Sequence, residues 1–397
     1  MLIEVLISIL LGTFTGVITG LIPGIHINLV STALISLSAF LFSSTNPIYL
    51  SIFIVSLSIS HTFIDFIPSI FLGCPNTENQ LSILPGHEML KEGRGFEAVK
   101  LTSQGALYAI FFLLILAFPF SFLLENIYFL ISKYMFFILF LIFLIFIAME
   151  KNKFAALFIF LISGILGLCT LNLNVNEPLL PLFTGLFGCS TLIVSLKDKI
   201  QIPSQDITTP KIKKSRILFA GIITSPICGF LPGLGSGQSS ILANIIARAE
   251  KEGFLFLNGF SNILIMGLSF VSLYSISKTR TGSAAAIQKL LGIFSWKTLL
   301  LFLFVILISG IISYFLTDFL SKKFSKQITK INYAMLSKIM LVFLFILTFI
   351  FSGFVGILVL VVSTILGIYC NTFEVKKTNM MGCLLIPTMI YYFTILF

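Results

Sequence analysis

Charge is scarce in this chain. Only 10% of its 397 residues are Asp, Glu, Lys or Arg, against roughly 25% in a soluble globular domain, which excludes a water-exposed fold. Histidine is scarcer: His26, His61 and His87 are the whole complement, and neither an H-E-x-x-H pair nor a helical G-x-G-D aspartate is present. A zinc or aspartyl intramembrane enzyme would therefore lack its chemistry. LGSG at 234–237 has the outline of an intramembrane serine protease, but Leu234 replaces the first glycine and no later histidine could act as base. The six cysteines form no C-x-x-C pair and have no nearby histidine, so they read as small packing residues, not metal or disulfide sites. MLIEVLISILLG at the N-terminus has no early Lys or Arg, unlike a signal peptide, and reads as a retained helix. Short alternating segments are missing too, which excludes a β-barrel.

What is present is hydrocarbon. The chain is 57% hydrophobic with 44 phenylalanines and a mean hydropathy of +1.09. Apolar runs of about 20 residues, the length an α-helix needs to cross a bilayer, recur from end to end. The expectation is an all-α polytopic integral membrane protein, multi-pass in the cell membrane. The net charge of +10 lies in short loops, where membrane topology accounts for it without a nucleic-acid partner. Spans are expected at 2–22, 27–43, 48–68, 98–122, 127–149, 154–172 and 179–196, then at 215–231, 237–250, 257–277, 296–317, 333–352, 353–371 and 379–397. Between the two sets lies a polar, basic linker containing Pro203 and Pro210. This divides the chain into a first transmembrane half, 1–196, a cytoplasmic linker, 197–214, and a second half, 215–397.

The halves share a motif. GLIPGIHINLVS at 20–31 aligns with GFLPGLGSGQSS at 229–240, an offset of 229 − 20 = 209. Without gaps, that offset also pairs Gly12 with Gly221, Pro23 with Pro232, Gly24 with Gly233, Ser31 with Ser240, and Gly73 with Gly282. With the linker cytoplasmic, Lys91, Arg94, Lys100, Lys151 and Lys153 fall inside, as do Lys322, Lys323, Lys326, Lys330, Lys376 and Lys377. The two copies then run in opposite senses, as two inverted structural repeats; Lys289 and Lys297 are left on the outer side.

Glycine and proline at membrane depth break helices, and broken backbone survives in a bilayer only where it is buried in protein or lines a wet cavity. A helix beginning there turns free N–H groups and its positive dipole end inward, which favours an anion. The broken or re-entrant helices therefore mark a substrate site. Its candidates in the first half are Pro23, Gly24, Asn28, Ser31, Gly73, Asn76 and Thr77. In the second they are Gly233, Gly235, Ser236, Gly237 and Gln238, then Lys278, Arg280, Thr281, Gly282 and Ser283. Lys278 and Arg280 suit a carboxylate or phosphate. His61 and Asp65 stand at i and i+4, on one helix face, and with His26 are candidates for coupling transport to H⁺ or Na⁺.

GLIPGIHIN, GCPNTENQLSILPGHEMLKEGRGFEAV at 73–99, PLFTGLFGCSTLIVSL at 181–196 and GFLPGLGSGQSSILANIIARAEK at 229–251 together resemble the large permease subunit of tripartite tricarboxylate transporters. Pro23, Gly24, Pro232 and Gly233 match that family's paired G-x-x-P-G signature. Gly73 to Thr77 and Gly282 to Ser283 match its two tips. The resemblance implies inverted repeats, a small membrane subunit and an extracytoplasmic binding protein as partners, and carboxylate import on an ion gradient. Pro85 to Met89 depart from the family's D-G-Y-P-M, only Asn258 and Asn262 remain of an acidic, asparagine-rich segment, and TRTGS replaces G-I-P-G-S, which implies a divergent branch. The leading expectation is a secondary active transporter for a small organic anion such as a di- or tricarboxylate, working by alternating access, with no cofactor beyond a coupling ion. A polyprenyl-phosphate or other lipid-phosphate translocase is the alternative, and an intramembrane enzyme ranks below both.

Overall fold

A computed structural model describes residues 2–23, 46–73, 83–197, 202–210, 212–231, 233–328, 333–373 and 375–396. Helix is the regular structure of the described residues, which contain no strand. The first half contains α1 (Leu2–Leu21), α2 (Pro47–Ile64), α3 (Phe66–Leu72), α4 (Ile83–Lys91), α5 (Gly95–Ser132), α6 (Met135–Ala148) and α7 (Lys153–Asn172). It ends in α8 (Leu179–Phe183), a π-helical turn (Thr184–Cys189) and α9 (Ser190–Lys197). The second half contains α10 (Ser215–Phe230), α11 (Ser236–Ala247), α12 (Lys251–Ile276), α13 (Gly282–Leu291), α14 (Trp296–Ile328), α15 (Tyr333–Thr372), a 3₁₀ turn (Lys377–Met381) and α16 (Gly382–Leu396). Among the described residues, eight helices are long and apolar enough to cross a membrane, and the chain is a multi-pass membrane protein.

Burial sorts these helices into a centre and a shell. The most apolar windows of Pro47–Leu72 and Lys251–Ile276 are 89% buried, whereas those of α1 and α5 are only 28% buried. The sequence explains the difference. The shell helices turn phenylalanine, leucine and isoleucine outward, Phe111, Ile115, Phe118 and Phe122 among them, where lipid solvates them. The central helices carry buried hydroxyls and amides that lipid could not satisfy: Ser51, Ser56, Ser58, Ser60 and Thr62 on α2; Asn258, Ser261, Asn262, Ser269 and Ser272 on α12. Glycines let backbones meet at the seams. A Cβ at Gly259 on α12 would collide with the Thr102 carbonyl on α5, and one at Gly105 with the Phe256 carbonyl.

Contacts also fix the directions of the helices. Gly12, Gly16 and Gly20 of α1 face Ser56, Ser60 and Ile64 in order, so α1 and α2 run parallel. Gly221 and Gly229 of α10 face Phe260 and Ile265, so α10 and α12 are parallel as well. The C-terminal end of α2 and all of α3 pack with the N-terminal parts of α5 and α12, through Ile64, Ile67, Val99 and Leu255. Thus α1 and α2 run toward the pole that α10 and α12 run away from. That pole carries an ion-pair cluster: Arg94 grips Glu97 at 2.9 Å and Glu252 at 2.8 Å, Lys251 meets Glu88 at 2.7 Å, and Asp318 binds Lys100 at 2.5 Å and Lys322 at 2.8 Å. The linker lies against it, with Gln205 Oε1 accepting from Gly95 N–H at 2.8 Å.

Several expected boundaries move. The spans at 98–122 and 127–149 become a 38-residue α5 and a 14-residue α6, because Pro119 lies within a continuing helix and the turn comes at Lys133 and Tyr134. The segment 237–250 does not cross. α11 is only 12 residues and folds back on α10, Arg216 Nε donating to the Ile246 carbonyl at 2.9 Å. The expected division at 352 and 353 appears inside α15, where Gly353 leaves helical geometry with φ 64°. The span 27–43 lies outside the described residues.

Candidate functional site

The α10–α11 hairpin places a helix N-terminus inside the protein. α10 ends at Phe230, Gly233 turns the chain at φ 75°, and Gly235 is the N-cap of α11. Gln238 closes that end through Oε1, which accepts from Gly235 N–H at 2.9 Å, and Gly235 C=O accepts from Ser239 N–H at 3.1 Å. A second helix start arrives from the opposite pole. After α12 ends at Ile276, residues 277–281 run back alongside it, so that the Thr281 hydroxyl meets Ser269 at 3.0 Å. Thr281 is then the N-cap of α13, its Oγ1 accepting from Ala284 N–H at 3.2 Å.

Between these starts lies a cavity of 210 Å³. Gly233, Gly235, Ser236, Gln238, Arg280 and Thr281 line it, and all six are residues the sequence singles out. Asn262 joins them from the central helix α12, and Phe183, Met381 and Leu384 supply an apolar wall. Two polar atoms of this lining stand out. Among the described residues, Gln238 Nε2 and Asn262 Nδ2 are buried amide donors without a hydrogen-bond partner. An unmet buried donor costs about 1–3 kcal/mol, so both amides favour a nearby acceptor. The cavity thus combines two helix N-termini, a guanidinium and two amide side chains: an environment for negatively charged oxygen.

Arg280 is only partly available to a ligand. Its Nε donates to Gly229 C=O at 2.9 Å and its Nη2 donates to Leu231 C=O, so the guanidinium also caps the broken end of α10. Lys278 is absent from this lining, but it lines a wider cavity of 750 Å³ together with Arg280, which borders both. The expected Lys–Arg pair therefore comes together at the wider cavity and Arg280 alone reaches the smaller one; residues 277–281 lie outside any helix, with Ser277 in the left-handed region at φ 51°.

The other expected residues are scattered around this centre. Gly237 is buried in the first turn of α11. Gly282 opens α13, and Ser283 faces α2, where its hydroxyl meets Ser58 at 2.6 Å and joins the two halves. Gly73 closes α3 at φ 66°, and Pro23 follows α1. Gly24, His26, Asn28, Ser31, Asn76 and Thr77 lie outside the described residues. His61 is buried, with Nδ1 3.0 Å from the Thr19 hydroxyl. Asp65, also buried, sits at the bend between α2 and α3, where Pro68 cannot donate to the Ile64 carbonyl. Of the lining residues not foreseen, Asn262 had a signal, as a surviving asparagine of the resembled family. Met381 and Leu384 had none, since only the packing of the 3₁₀ turn and α16 brings them here.

The model of the Tripartite tricarboxylate transporter TctA family matches residues 6–382. The uncharacterized protein MJ1079 of Methanocaldococcus jannaschii is 33% identical over 353 residues, covering 86% of this chain and 88% of its own. No solved structure matches.

Proposed function

This chain belongs to the tripartite tricarboxylate transporter TctA family, and from that premise we propose that it is a secondary active permease for a small di- or tricarboxylate. The observation that carries the proposal is a cavity bounded by two helix N-termini and Arg280 and lined by Gln238 and Asn262, each with a buried amide donor that has no partner among the described residues. A carboxylate suits that lining. At roughly 30 Å³ per water, 210 Å³ holds about seven waters, which suits a compact organic acid. The opposed directions of α1 and α2 against α10 and α12 support inverted halves rocking about a fixed site. His61 and Asp65, buried in the first half, are the groups to which a coupling proton or Na⁺ is assigned. The ion-pair pole is cytoplasmic on this reading, in the cell membrane, and a small membrane subunit and an extracytoplasmic binding protein complete the system.

Thermal unfolding of the detergent-purified protein with citrate, succinate, inorganic phosphate or a short polyprenyl phosphate tests this. A carboxylate at about 100 times its dissociation constant adds roughly 2.7 kcal/mol to the folded state, and the stabilisation is expected to disappear in Asn262→Leu. Stabilisation by polyprenyl phosphate alone would move the protein to the lipid-phosphate class. Carboxylate stabilisation undiminished in Asn262→Leu would remove the site from this cavity.

A further inference from the structure

The wider cavity, 750 Å³, opens at the pole opposite the ion-pair cluster. Its walls come from the ends of four helices: Tyr128 of α5, Phe230 of α10, Lys278 and Arg280 beyond α12, Tyr392 of α16, and Lys133 in the α5–α6 turn. Three cations line it, and among the described lining residues there is no acidic one. Membrane topology does not account for Lys133 and Lys278, because charge bias places lysines at the other pole. They belong to segments far apart in sequence, yet both face this space. Lysines held around a cavity with low-dielectric walls focus their field into it and concentrate anions there. The back wall is the Arg280 guanidinium on the Gly229 and Leu231 carbonyls, the same group that bounds the central cavity.

We propose that this outer cavity is a second oxyanion site, where Lys133, Lys278 and the outer edge of Arg280 collect a multivalent carboxylate or phosphate one step before the central cavity. Arg280 touches both sites and is the partition the anion passes. The passing role rests on the permease reading; the outer site does not. Its chemistry, multivalent and anionic with three tyrosines at the rim, suits a soluble polycarboxylate or a lipid headgroup phosphate alike.

Pyrenetetrasulfonate, a fluorescent polyanion with a rigid four-ring core, is the probe: it is too bulky for the 210 Å³ cavity and of a size for the larger one. Its anisotropy is followed on the full chain in nanodiscs of neutral lipid. The dye is expected to bind, to weaken steeply with added salt, and to lose about tenfold in affinity in Lys133→Gln/Lys278→Gln at an unchanged melting temperature. Citrate displacing the dye assigns a soluble ligand, whereas displacement only when phosphatidylglycerol replaces the neutral lipid assigns a headgroup. Equal dye affinity in the double variant overturns the site, as does a dye that neither citrate nor phosphatidylglycerol displaces. Asn262→Leu keeps the two readings apart: loss of carboxylate stabilisation there with dye binding intact locates the anions in separate cavities. Dye binding to a wild type that no carboxylate stabilises would leave the outer site standing and the permease reading fallen.

Discussion

Arg280 and Asn262 line the same cavity but are held there by different forces, so their variants should separate. Arg280 caps the Gly229 and Leu231 carbonyls, and Arg280→Ala leaves both without their donor. Each orphaned group costs about 1–3 kcal/mol, so this variant is expected to melt markedly lower even without ligand. Asn262 Nδ2 has no partner to lose. Asn262→Leu should therefore match or exceed the wild-type melting temperature without ligand, while its carboxylate affinity falls by about 10- to 100-fold, the worth of one charge-assisted hydrogen bond. A ligand-free melting temperature well below wild type would contradict the unpartnered donor. His87 belongs to a third kind. It is buried on α4 with Nδ1–H donating to Ile70 C=O at 3.4 Å, and burial, with Lys91 nearby, pushes its pKa down from 6.5 to about 4. Its neutral form is thus favoured in the fold, and the stability it contributes is complete above about pH 6.5 and lost as pH falls toward 4. The span corresponds to about 3 kcal/mol, and a His87→Gln variant is expected to flatten the fall in melting temperature across that window.

At the scale of the helix, the broken segments are held by packing against α12, and the glycine seams govern that packing. A Cβ at Gly259 would strike the Thr102 carbonyl, part of the backbone of α5, which cannot rotate away as a side chain could. Gly259→Leu should push α5 off α12, cost at least about 1–3 kcal/mol and reduce the yield of monodisperse protein. Gly235→Ala is the informative contrast. A Cβ there meets only Gln238 Oε1, at 3.5 Å, and the backbone is already extended at φ −130°, so the fold should tolerate it. Equal melting temperatures for the two variants would show that the α5–α12 seam contributes no stability. The hairpin itself follows from short helices. α10 and α11, with 16 and 12 residues, reach about 24 and 18 Å at 1.5 Å per residue, short of the roughly 30 Å hydrocarbon thickness, so α10 ends and α11 begins inside the protein.

Over the whole molecule, charge and direction give one arrangement with two unlike poles. Ion pairs, the linker and the basic residues Lys213 and Lys323 belong to one; Lys133, Lys278 and Lys297 belong to the other. In a background with Cys74 and the exposed Cys169 replaced by serine, Lys213→Cys and Lys323→Cys should react with a membrane-impermeant maleimide only from the cytoplasmic side. Lys133→Cys and Lys297→Cys should react only from outside. Labelling of Lys133→Cys and Lys213→Cys from the same face would overturn the assigned orientation, and with it the placing of the wider cavity on the outer side.

Composition and periodicity alone determined that this chain is helical and membrane-embedded, since so little charge and so much unbroken apolar sequence leave no other solvent for it. The break at Gly233 was legible for the same reason: backbone interrupted at membrane depth has to be turned inward. The lysines pointed to opposed directions for the two halves, and α1 and α2 do run against α10 and α12. What tertiary structure decided is which polar atoms share a space. Lys278 and Arg280, two residues apart, look like one anion seat in the sequence; the return of 277–281 lets both line the wider cavity, while Arg280 alone also reaches the smaller one. Asn262 was marked in the sequence only as a surviving asparagine of the resembled segment; that its amide and that of Gln238 line one cavity was decided by the α10–α11 hairpin leaning on α12 at that level. Periodicity can tell which face of a helix is buried, but which face of another helix meets it depends on packing among segments hundreds of residues apart.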